Sequence, residues 1–103
     1  MKKGEIRWYK FQHPDKKRPV LILTRSSIIQ HLNSLTIAPI TSTIRDIPSE
    51  VVLSELDGMK KDCAINLDHI QTISKSRLGA KITELSKDKL SEVSEALKFA
   101  LDL

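Results

Sequence analysis

From Glu5 to Ile73 the chain breaks into short apolar segments about ten residues apart, each closed by turn residues, with no alternation of strands and long helices. The residues Glu5 to Phe11 alternate at strand period, with Ile6 and Trp8 on one face and Arg7 and Tyr9 on the other, so Trp8 is expected in the core, the alternative being a ring that stacks a nucleobase. Pro19 to Thr24 is almost continuously apolar. It reads as a strand buried on both faces, with Pro tolerated at its first position. Leu35 to Ile40 resumes the β pattern, and Pro39, which has no ladder donor, is expected to mark an edge, a bulge or the strand's end. Further short strands are expected over Glu50 to Leu53, Asp62 to Leu67 and His69 to Ile73, giving five or six in all. Such a succession suggests a small barrel or sandwich.

The period changes once, after a Lys-Ser-Arg-Leu-Gly turn that ends at Gly79. Ser86 suits an N-cap and Asp88 the first helical turn, and Leu90, Val93, Leu97, Ala100 and Leu101 then form one apolar stripe at helical spacing. The expected class is mainly β with a C-terminal α-helix. At 103 residues the chain has room for one core, so a single domain over 1–103 is expected.

Charge narrows the possible ligands. Net charge is +4, but residues 1–50 hold 9 basic and 4 acidic side chains while residues 51–103 hold 8 and 9. The basic excess therefore lies in the first half, as an anion-binding surface requires, the alternative being a net charge that serves solubility alone. No apolar run approaches the roughly 20 residues of a membrane helix, and the Lys2-Lys3 start leads into charge instead of a signal-peptide core, so a cytoplasmic protein without a membrane partner is expected. The single cysteine, Cys63, cannot make an internal disulfide and reads as a small buried hydrophobe. With three scattered histidines it gives no zinc spacing, so neither a metal nor another cofactor is expected.

Two segments carry polar groups at the ends of apolar strands: Lys17-Arg18-Pro19-Val20-Leu21-Ile22 and Ile37-Ala38-Pro39-Ile40-Thr41-Ser42. On neighbouring strands they would present a guanidinium and two hydroxyls to one anion, and guanidinium matches phosphate bidentately. The plainer alternative is that Arg18 is a solvated strand-end charge and that Thr41 and Ser42 only start a turn. His13 lies in the loop before Arg18, where its ring can exchange protons near neutral pH. Asp68 follows an apolar strand and is either a polar partner in the site or a turn former.

In this order the segments resemble the MazF/PemK family of toxin endoribonucleases. The resemblance runs through Gly4-Glu5-Ile6 with Trp8, Arg18-Pro19-Val20-Leu21-Ile22, Ala38-Pro39-Ile40-Thr41-Ser42, Pro48-Ser49-Glu50-Val51, Met59 to Ile65 and Asp68 to Leu78. It implies a small SH3-like barrel of the CcdB-MazF type that forms a homodimer, binds single-stranded mRNA in a shared groove, and is inhibited there by the acidic tail of a cognate antitoxin. The implied reaction is metal-independent: the 2′-OH of the RNA attacks the adjacent phosphate and leaves a 2′,3′-cyclic phosphate and a 5′-OH. The family's catalytic Arg and Thr fall on Arg18 and Thr41. Ser42, His13, Lys17, Asp68 and Gln71 are then the expected substrate-binding residues.

Two departures from the family pattern stand out. The loop from Gln12 to Lys17 is shorter than the family's Gly-rich loop, and Gln71-Thr72 stands where Gln-Arg is usual. The gyrase-poisoning CcdB type lacks the Arg-Thr pair and acts through a Trp-Gly-Ile terminus, whereas this chain ends Leu101-Asp102-Leu103. The other alternative is a barrel that binds RNA without cutting it.

Overall fold

The structure is a computed structural model that describes residues 1–11 and 16–103. Among the described residues there are seven strands, β1 (Glu5–Lys10), β2 (Lys17–Ile22), β3 (Ser34–Thr41), β4 (Glu50–Leu53), β5 (Cys63–Asn66), β6 (Gln71–Ser74) and β7 (Leu78–Glu84), followed by the helix α1 (Lys87–Leu101). All pairings are antiparallel. The sheet runs β4, β5, β3, β2, β1, β7, and β6 pairs the first half of β3.

The doubly apolar segment is the centre of the sheet. Val20, Leu21 and Ile22 of β2 are fully buried, and alternation sends them to two cores. Leu21 joins Ile6, Ala38, Leu53 and Ile65, a cluster roofed by Val93 and Ala96 of α1 with Leu90, Leu97 and Ala100 packed beside them. Val20 and Ile22 join Tyr9, Ile29, Leu35, Ile37 and Ile73 on the other side. Burying one such aliphatic side chain is worth about 1.5–3 kcal/mol, so the central strand needs no polar face. Ser86 Oγ accepts from Lys89 N (3.2 Å) and caps α1 as expected.

Two expectations are corrected. The described residues form seven strands where five or six were expected, because Leu78 and Gly79 already belong to β7, whose side chains are mostly exposed and give no apolar alternation. Pro39 sits inside β3, at no edge, bulge or end. It pairs with Val20 on one side, and on the other it falls between the ladder to β6, which ends at Ile37, and the ladder to β5, which begins at Ile40. A residue without an N–H fits where the strand changes partners.

A buried acid ties β1 to β7. Glu5, 5 % exposed, accepts from Arg7 Nε (2.9 Å) and stands 3.8 Å from Lys81 Nζ, and Arg7 Nη1 donates to Gly79 O (2.9 Å). Burial pulls the Glu5 pKa up, but the hydrogen bond and charge of Arg7 outweigh it and hold the carboxyl below its ordinary 4.5. A lowered folded-state value means that this group's contribution is complete above 4.5 and is lost as pH falls through the lower value. The stability gap between wild type and Glu5→Gln, read by urea unfolding, should therefore be widest near neutral pH and close on acidification. A gap that is constant with pH would refute the assignment.

Candidate active site

A cleft of about 700 Å³ opens over the ends of β2 and β3 and is bounded by β1, β7 and the turn before β5. Its floor continues the first core through Ile40, Met59 and Cys63, with Ile82 beside them. Its rim is cationic. Lys16, Lys17, Arg18, Lys60, Lys61 and Lys81 all line it, and among the described residues no Asp or Glu does.

The β2–β3 register brings the two strand-end motifs together. Val20 pairs with Pro39, and the same register carried two residues further sets Arg18 opposite Thr41. Arg18 is exposed and its side chain has no hydrogen bond or ion pair among the described residues. Thr41 Oγ1 accepts from Thr43 N (3.1 Å), which fixes the oxygen while leaving its hydrogen free to donate. Ser42 follows on the same rim. An unpaired guanidinium and two hydroxyls ringed by ammonium groups form a site for a phosphate and the charge that develops on it.

Of the other expected residues, Lys17 lines the cleft, while Asp68 and Gln71 do not. The Asp68 carboxylate accepts from Ser49 Oγ (2.5 Å), tying the start of β4 to the turn after β5. Gln71 pairs with Ile37 on β6 and donates from Nε2 to His69 O (3.3 Å). His13 lies outside the described residues. Cys63 is 5 % exposed, and burial, with Asp62 and Asp57 nearby, pushes its thiol pKa up, so it is not a ready nucleophile.

Trp8 is the main correction. It is 37 % exposed and lines the cleft, although Ile6 on the same strand face is fully buried. Alternation assigns a face, but the core beneath that face ends before Trp8. Lys16, Lys60, Lys61 and Lys81 were also missed, and the only sequence signal for them was the Lys60-Lys61 pair after the Gly58 turn. Among the described residues no three His, Cys, Asp or Glu side chains gather as a metal site, and no helix is long and apolar enough to cross a membrane.

Comparison with known proteins agrees with this architecture. A family model described as PemK-like, MazF-like toxin of type II toxin-antitoxin system matches residues 2–101. The chain is 39 % identical over 89 residues to endoribonuclease MazF3 of Mycobacterium tuberculosis, covering 86 % of each chain. It is 31 % identical over 99 residues to the probable endoribonuclease MazF2 of the same organism, covering 95 % of each. Among solved structures, M. tuberculosis toxin MazF-mt6 superposes with a TM-score of 0.88 at 36 % identity, over 96 % of this chain and 97 % of that one. A MazE-MazF crystal structure from Deinococcus radiodurans gives 0.85 at 25 % identity, over 100 % and 97 %.

Proposed function

The chain belongs to the PemK-like, MazF-like toxins of type II toxin-antitoxin systems and is an endoribonuclease of that family, and from this premise we propose that the basic cleft cuts single-stranded mRNA by metal-independent transesterification. The observation that carries the proposal is the convergence of Arg18 and Thr41 in a cleft lined, among the described residues, by six cations and no carboxylate.

The RNA supplies its own nucleophile. The 2′-oxygen forms a bond to phosphorus and loses its proton, while the bond from phosphorus to the 5′-oxygen breaks and that oxygen gains a proton. What the protein must add is orientation and charge. Arg18 holds the non-bridging oxygens with its planar fork, Thr41 donates its hydroxyl to one of them, and Ser42 offers a second hydroxyl. Lys17 neutralises a neighbouring phosphate. His13 is the candidate for proton transfer, and Asp68 and Gln71, which lie outside this cleft, are candidates for contacts to the RNA beyond it. Among the described residues the rim offers cations where a metal-dependent nuclease would need carboxylates to hold its ion.

Action in the cytoplasm as a homodimer, with a cognate antitoxin whose acidic tail occupies the same cleft, is part of the proposal. Its support is the family, the crystallised MazE-MazF relative and the sign of the rim charge. The test is digestion of a long single-stranded RNA in excess EDTA with the ends identified by mass spectrometry. Discrete cuts ending in cyclic phosphate and 5′-OH are expected. Cleavage that stops in EDTA, or products with 5′-phosphate, would overturn the mechanism.

A further inference from the structure

We propose that Trp8 is a stacking platform for one nucleobase of the bound RNA, beside the phosphate held by Arg18; this rests on the endoribonuclease reading above and goes beyond it by assigning a recognition residue. The first ground is exposure. Trp8 is the only tryptophan of the chain, yet it is left 37 % exposed in a cleft whose other apolar residues are largely covered. An indole in water forgoes the burial that a ring of its size would gain, unless a ligand covers it.

The second ground is the way its neighbours keep the ring open. On β2 the residue directly across is Pro19. On β7 the register slips between Arg7 and Tyr9, so Gly79 and Ala80 come beside Trp8. A Cβ on Gly79 would lie 3.6 Å from the Trp8 Cβ, in ordinary contact, so glycine leaves that space beside the Trp8 side chain empty. The slip is held in place by Arg7, which donates to Gly79 O (2.9 Å) and is itself held by Glu5.

The third ground is the company the ring keeps. Pro19 adjoins Arg18 in sequence, so the indole lies across from the residue that follows the phosphate-binding guanidinium. Lys16, Lys17, Lys60 and Lys61, all without side-chain partners among the described residues, complete the rim. A flat aromatic surface next to closely spaced cations is the complement of a nucleotide, with its planar base and anionic phosphate.

A single tryptophan makes the test direct. The wild-type cleavage map supplies a short RNA target, which is made uncleavable by a 2′-O-methyl group at the cut and carries a fluorescein for anisotropy. Trp8 fluorescence should be quenched along the same titration curve as the anisotropy. Replacing the bases one at a time by abasic sites should reveal one position that costs about 5- to 150-fold in affinity. Trp8→Ala should cost a similar factor, and in that variant the same abasic site should cost nothing more. With cleavable RNA, Trp8→Phe should raise KM and leave kcat near wild type, because stacking acts equally on ground and transition states.

An unquenched indole at saturation, or abasic and Trp8→Ala losses that simply multiply, would overturn the proposal. So would a Trp8→Ala variant that binds RNA normally and an acidic antitoxin peptide poorly, since the ring would then serve the peptide. If Trp8→Ala does not fold, the wild-type quench and the Trp8→Phe kinetics decide. Failure of the wild-type protein to cut any RNA would instead remove the endoribonuclease reading, a distinguishable result.

Discussion

Replacing Arg18 with Ala is expected to slow RNA cleavage by roughly 100- to 1,000-fold under single-turnover conditions. The pentacoordinate phosphate carries more charge on its non-bridging oxygens than the ground-state diester, so a donor aimed at them acts mainly on kcat. The loss should leave the fold alone. Arg18 is exposed at the mouth of β2, and its side chain has no partner among the described residues, so thermal melting of the variant should match wild type. Arg18→Lys separates charge from shape. It keeps the cation but loses the fork, and should recover only part of the rate while restoring most of the RNA affinity. A folded Arg18→Ala protein that cuts within about tenfold of wild type would deny Arg18 its central place in the reaction.

Arg18 and Thr41 were legible in the sequence because their signals are local. Each is a polar residue at the end of an apolar strand, and the two strands are consecutive, so pairing them needs only one antiparallel connection. The two-sided burial of β2 was legible for a similar reason, since an unbroken Val20-Leu21-Ile22 admits no solvent face, although the chain length predicts one core and the strand divides two. The closing helix followed from its cap and its stripe, although Leu101, assigned to that stripe, is 48 % exposed past its buried end.

What stayed hidden depends on partners far along the chain. β7 is held by its backbone ladder to β1, with a mostly exposed set of side chains, so period-2 apolarity never announced it. Pro39 could be placed only once β3 was known to change partners beside it. Lys60, Lys61 and Lys81 reach the cleft from a turn and a strand that meet only when the sheet curls back on itself. Trp8 was misassigned because strand alternation is silent about where a core stops.

That curling depends on one glycine, and Gly58→Ala is expected to lower stability by about 2–5 kcal/mol. The sheet's two ends are β4 and β7, and the turn after β4 crosses to β7 at Gly58. Thr83 Oγ1 donates to Asp57 O (3.1 Å), and a Cβ on Gly58 would overlap the Thr83 side chain. Gly58 also holds φ at +94°, a left-handed conformation that ends the 3-10 turn Glu55–Asp57 and costs an L-residue strain whatever the space. Both penalties act together, and the midpoint of thermal unfolding should fall by at least about 10 °C. Gly79→Ala is the matched control. Its φ is not positive and its nearest neighbours lie at ordinary contact distance, so it should melt close to wild type. The same turn carries Met59, Lys60 and Lys61 into the cleft, so the Gly58→Ala protein that remains folded should also bind RNA less tightly, with a weaker salt dependence than wild type. Equal melting of the two glycine variants would mean that the contact with Thr83 gives way freely and does not close the barrel.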